Sequence, residues 1–335
     1  MARKLEISKN HQRALGIGLG VGLAGAFALA FRYGLRRTPR QPLPDDLSPA
    51  IFARRLAPTS HGEMIYHISG SGDPVVFLHG MYPGAASFEW SRVYPHFVMH
   101  REVIAADLVG FGESERPSRR MDASDYAESL ADFLGEVCGG RQPVVIASGL
   151  TAGIALLMAS RHPERIKSLA LLMPHVPRHG PPWAARRLSA AAHIPPLASF
   201  LYDFSIAREP FLRAWVSRFG YADQDRTDEE VVRNLAVCAQ QPGARYALLN
   251  VLRGGLALDL ETRLPRVPHP VTVLWPEAAA GMPASLGVSL ASKLPSGSFR
   301  ILPDCAALAA LEKPETLIAE LSPIILGPSI MEGVA

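Results

Sequence analysis

Cysteine is scarce: Cys138, Cys238 and Cys305 are the only three in 335 residues, far apart and odd in number. That excludes a disulfide framework and any metal cluster of the CxxC type. Internal repeats and low-complexity tracts are absent too. Charged residues make up only 19% of the chain against 48% apolar, with aromatics spread throughout, which excludes a disordered protein. The positive excess is small, +3, and unevenly placed. Residues 1–40 hold eight basic side chains against Glu6 alone, a net of +7, so the remainder carries 26 basic and 30 acidic residues, a net of −4. A mildly acidic body offers no electrostatic footprint for nucleic acid. The length is enough for one large domain or two small ones with a full core.

What the chain does have is one long apolar run, ALGIGLGVGLAGAFALAF at 14–31, between Arg13 and Arg32. As a helix it would span roughly 27 Å, just under the hydrocarbon thickness of about 30 Å. It reads as a membrane anchor behind a basic tail at 1–13, stopped by Arg32, Arg36, Arg37 and Arg40. A signal peptide ending near Ala28-Leu29-Ala30 and a buried core helix are the competing readings. Glycines at 16, 18, 20 and 22 make it a poor water-soluble helix. Gly16/Gly20 and Gly18/Gly22 fit the small-xxx-small spacing of paired membrane helices, so an anchor-mediated dimer is one expectation. The basic surplus after the run favours a cytoplasmic body slightly. Gly20–Gly25 matches GxGxxG, but no strand precedes it, and no cofactor is expected.

Prolines at 39, 42, 44, 49 and 58 mark 32–59 as a stiff linker, with at most one short segment at 50–55. Strand-like runs follow at 64–69, 74–78, 103–106, 143–147, 168–172, 271–274 and 299–302. Helix-like stretches occupy 123–137, 151–161, 286–294 and 314–325. Alternating short apolar strands and helices predict an α/β domain with a mostly parallel sheet, formed by 60–175 and 263–326. Residues 176–262 lack strands, carry many aromatics, and read as a helical cap insertion.

Particular motifs resemble those of the α/β-hydrolase superfamily. Val75–Gly80 is similar to the strand ending in His-Gly, and Asp107–Ser114 to the D-x-x-G-x-G-x-S turn, followed by Arg116-Pro117. His162–Ile166, Val271–Trp275 and Glu312–Glu315 resemble later landmarks in the right order. The resemblance implies a nucleophile elbow of G-x-S-x-G type, where a serine stands on a sharp strand-to-helix turn. Here the turn reads Ala147-Ser148-Gly149-Leu150-Thr151. The family's spacing to His162-Pro163 puts the nucleophile at Gly149. The small flanking residues such a turn needs are Ala147 and Thr151; around Ser148 they would be the bulkier Ile146 and Leu150. The same resemblance puts the acid at Ala279 and the histidine base at Ala307.

All three implied triad positions therefore lack a reactive side chain. Ser148, His175 and Glu277 are candidates for relocated catalysis, with Asp304 and Cys305 near the same loops. The backbone amides of Met81, beside Gly80, and Leu150, beside Gly149, remain as an oxyanion-type pair. Three functions are expected from this. One is a membrane-anchored, non-hydrolytic module that binds an apolar ligand with one carbonyl or carboxylate, or serves as an accessory subunit of a membrane complex. The alternative is an active esterase-like hydrolase or cofactor-independent lyase using relocated groups. A passive stabiliser with a collapsed pocket is the third.

Overall fold

The computed structural model describes residues 51–175 and 186–327. Its strands are β1 (Ala53–Thr59), β2 (Gly62–Ser69), β3 (Pro74–Leu78), β4 (Glu102–Ala106), β5 (Val144–Ser148), β6 (Ser168–Leu172), β7 (Val271–Pro276) and β8 (Gly297–Leu302). They form one sheet in the order β1-β2-β4-β3-β5-β6-β7-β8. The pairs β1/β2 and β2/β4 are antiparallel and the rest parallel. Every residue of β3 and β5 is buried, as expected for central parallel strands covered on both faces.

Side-chain alternation divides the core in two. Val76, Leu78, Ile104, Val145, Ala147 and Leu171 face α1 (Ala123–Cys138) and α2 (Gly149–Arg161). Val75, Phe77, Val103, Ile146 and Leu172 face Trp90, Tyr94, Phe97 and the last helix. Helix α1 starts at a capping box between Asp122 and Asp125 and ends at left-handed Gly139. Helix α2 is almost wholly apolar and is buried on all sides from Leu150 to Ala159. A Cβ on its Gly153 would stand 2.6 Å from the His175 carbonyl oxygen, so only glycine permits that contact.

Between β6 and β7 lie the described cap helices α3 (Arg186–Ala191), α4 (Pro195–Leu201), α5 (Glu209–Trp215), α6 (Glu229–Ala239) and α7 (Ala244–Leu252). Helices α8 (Ser285–Ser292), α9 (Ala309–Glu312) and α10 (Pro314–Leu326) complete the domain. Cap and sheet meet closely at Gly84, where a Cβ would collide with the Leu235 carbonyl.

One expectation changes here, and another lies outside the described residues. The linker at 32–59 is too long by its last residues, because 53–59 form β1 and pair with β2 over their full length. Pro58 is compatible with this because β1 is an edge strand, whose outer side needs no ladder donor. The expected transmembrane helix at 14–31 lies outside the described residues, and among the described residues no helix is long and apolar enough to cross a membrane.

Candidate active site

The site forms at the carboxyl ends of β3, β5 and β6, where chain turns leave the sheet. Strand β5 ends at Ser148, and Gly149 takes φ +56°, a left-handed angle that glycine adopts without the strain of an L side chain. A Cβ at 149 would meet nothing closer than Gly80 Cα at 4.0 Å, so the space above the turn is open. Leu150 lies in the first turn of α2, where backbone N–H groups lack intrahelical acceptors. Gly80 and Met81 border the same cavity from the end of β3.

Below this opening sits Glu89, a side chain that the sequence reading did not single out. It is 1% exposed and comes from the one-turn 3₁₀ segment Ser87–Trp90. Its Oε2 accepts the Gly80 N–H at 2.8 Å and the Tyr82 hydroxyl at 2.9 Å. Its Oε1 is buried with no partner. Burial raises the carboxyl to about 7, against the opposing pull of Ser148, the Gly80 amide and Tyr82. The Ser148 hydroxyl is also buried, near enough to influence Glu89 but without a well-formed hydrogen bond. The signal available beforehand was slight: one acid between Phe88 and Trp90 in an otherwise apolar turn.

The roof is aromatic. Tyr82 stacks on Trp215 from the cap, ring centroids 4.9 Å apart. Phe219 reaches in beside it, and its carbonyl accepts the Ala307 N–H at 3.2 Å. His175 donates its backbone N–H to the Gly149 carbonyl at 2.8 Å. Its imidazole is pushed down to about 4 by burial, so it is neutral at physiological pH, and Nε2 has no partner. The cavity volume is about 80 Å³.

The other expected residues separate into those the cavity gathers and those it leaves out. Gly80, Met81, Ser148, Gly149, Leu150, His175 and Ala307 all border it. Glu277 is exposed and receives the Asp304 N–H at 3.3 Å, outside the cavity. Ala279 packs partly buried against the core, and its neighbour Ala280 reaches the cavity instead. Cys305 is fully buried, donates to the Leu302 carbonyl, and has its thiol raised to about 12, which makes it inert.

His79 is structural. Its Nε2 accepts the Leu108 N–H at 3.0 Å, so Nδ1 carries the proton and donates to the Gly80 carbonyl at 2.7 Å. Asp107 spends its two carboxylate oxygens on the Ser87 and Glu113 amides. Ligand atoms of His67, Asp107 and Glu113 lie within 4.8 Å of one another, a spacing a metal ion could use. Yet Glu113 is already engaged by Arg54 and His67, so the three read as a knot holding the turn after β4.

Against known proteins, residues 73–314 match a family model described as the alpha/beta hydrolase fold. A 2-hydroxymuconate semialdehyde hydrolase of Pseudomonas sp. is 39% identical over 111 residues, 32% of this chain and only 38% of that relative's length. A 2-hydroxy-6-oxo-6-(2'-aminophenyl)hexa-2,4-dienoic acid hydrolase of Metapseudomonas resinovorans is 22% identical over 80% of this chain and 89% of its own. The solved 2-hydroxy-6-oxo-6-phenylhexa-2,4-dienoate hydrolase of Rhodococcus sp. superposes with a TM-score of 0.67 at 22% identity, over 81% of this chain and 97% of that one. At that identity the likeness is one of fold. The expected membrane localisation is corrected by these findings together: no described helix can span a bilayer, and the likeness runs to hydrolases over four-fifths of the chain. An apolar run reports a favourable transfer free energy, which a bilayer does not hold alone.

Proposed function

We propose, from the premise that this chain belongs to the α/β-hydrolase fold family, that it hydrolyses a carbonyl compound without a covalent intermediate, using Glu89 as general base. The observation that carries this reading is the Glu89 carboxyl: buried at the cavity wall, raised to about 7, one oxygen fixed by two donors and the other free. A base poised near the working pH is what general-base catalysis favours. In the ionised form Oε1 takes a proton from a water held beside the Ser148 hydroxyl. The water oxygen adds to the substrate carbonyl carbon, and the backbone N–H groups of Met81 and Leu150 donate hydrogen bonds to the developing oxyanion. Collapse breaks the bond to the leaving group, which receives the proton from Glu89, leaving an acid and a protonated product. The hydrolases among the relatives, named for a semialdehyde and an oxo-dienoic acid, support a carbonyl compound as the substrate.

Gly149, Ala279 and Ala307 favour a second reading, a non-hydrolytic ligand-binding protein, since loss of a nucleophile or base from a triad costs about a millionfold in turnover. Measuring hydrolysis of short phenyl esters and a 6-oxo-dienoate by wild type and Glu89→Gln separates the two. Turnover that depends on Glu89, with no fluorophosphonate label on Ser148, supports the base mechanism. Binding without turnover in either protein supports the second reading.

A further inference from the structure

The cavity under Tyr82 and Trp215 is too small for a whole substrate. Its 80 Å³ is about half the roughly 150 Å³ of an apolar cavity that admits benzene, room for a carbonyl and roughly two or three more heavy atoms. A second cavity of about 680 Å³ lies beyond it and falls in the usual range of about 300–1,000 Å³ for ligand sites. His175 and Met282 border both, and so form the partition between them.

That partition has a fixed frame and a soft filling. The Met282 backbone is pinned on both sides: its N–H donates to the Ala279 carbonyl at 3.1 Å, and its carbonyl accepts the Trp275 indole N–H at 3.2 Å. Its side chain is an unbranched thioether that changes rotamer at little cost. The larger cavity is half open to solvent, with leucines walling it from two directions and Asp259, Glu261, Ser289 and Lys293 supplying its polar lining. Leu258, Leu260 and Leu264 come from the segment before β7, and Leu286 and Leu290 from α8. The lysine at its edge, Lys293, is paired with Glu261 at 3.4 Å. Leu286 is 52% exposed although it is a large apolar side chain, which a tail lying against it would cover.

We infer that this second cavity holds the tail of the substrate, so that the protein takes carbonyl compounds carrying an extended, uncharged hydrocarbon chain. The inference rests on the proposed function only for the position of the carbonyl head; the tail site stands on the two volumes, their shared wall and the leucine lining.

The test is binding of n-alkyl methyl ketones from 2-butanone to 2-dodecanone, which cannot be hydrolysed, to the full chain by calorimetry. Affinity should climb about threefold to fourfold per methylene once the chain outgrows the first chamber. Ser289→Trp and Leu286→Arg alter exposed positions on the cavity wall and leave the core untouched. Each should weaken 2-dodecanone at least tenfold while 2-butanone stays within twofold. A flat chain-length series in wild type overturns the inference, and so does a gain that both variants leave intact. Glu89→Gln should leave the slope of the series unchanged, so failure of the base and failure of the tail site read out separately.

Discussion

Replacing Glu89 by glutamine tests the site through stability as well as through rate. Glutamine keeps the shape, and its oxygen can accept from Gly80 and Tyr82 as Oε2 does now. What it removes is the charge. The folded-state pKa of about 7 stands above an unfolded value near 4.3, so the folded protein holds the proton more tightly than the unfolded chain. The contribution of Glu89 to folding is therefore greatest when the group is protonated. It declines as pH rises from about 4.3 to 7 and is constant above that. A shift of this size corresponds to about 4 kcal/mol. Urea denaturation of both proteins between pH 5 and 9 should show glutamine gaining on wild type by about 2–3 kcal/mol, most of it below pH 7.5. Over the same range, wild-type kcat/KM should rise with a midpoint near 7, and the variant should lose about 100- to 10,000-fold. A stability difference that does not change with pH would show that Glu89 does not titrate between pH 5 and 9, and the assignment of a base poised near 7 would fall with it.

Tyr82→Phe removes the O–H donor to Glu89, a bond that favours the carboxylate, so the midpoint of the pH–rate profile should move up by about one unit; an unmoved midpoint would separate Tyr82 from the titrating group. Gly149→Ser puts a side chain at φ +56° in open space, so urea denaturation should show a loss of about 1–2 kcal/mol from backbone strain alone. That variant should stay unlabelled by fluorophosphonates, since Ala307 offers no base, and rapid labelling would reveal another base within reach of 149. Gly84→Ala drives a methyl group into the Leu235 carbonyl at the cap seam and should cost about 3 kcal/mol by the same assay; a neutral result would mean the cap yields there.

Much of the fold was written locally. Val75–Leu78, Val144–Ala147 and Leu169–Leu172 are continuous apolar runs because their strands are buried on both faces, and that pattern needs no partner to be read. The strand at 53–59 was hidden for the opposite reason. An edge strand with one buried residue at Ala57 and a proline at 58 has neither a run nor a clean alternation, and only its pairing with 62–69 makes it a strand.

The site divides along the same line. Sequence by itself puts glycine at 149 and alanines at 279 and 307, the positions that motif spacing, which counts residues along the chain, assigns to a triad. It could not reveal that Glu89 is buried with its carboxyl raised to about 7. Whether an acid is solvated or buried depends on what surrounds it in space, and here Gly80, Tyr82 and Ser148 converge on it from other parts of the chain. The same holds for the two chambers and their Met282 partition, since a volume belongs to all of its walls at once. Chain order decides how far each motif stands from the next, and packing decides which polar groups lose their water, because burial depends on neighbours that the chain brings together only by folding.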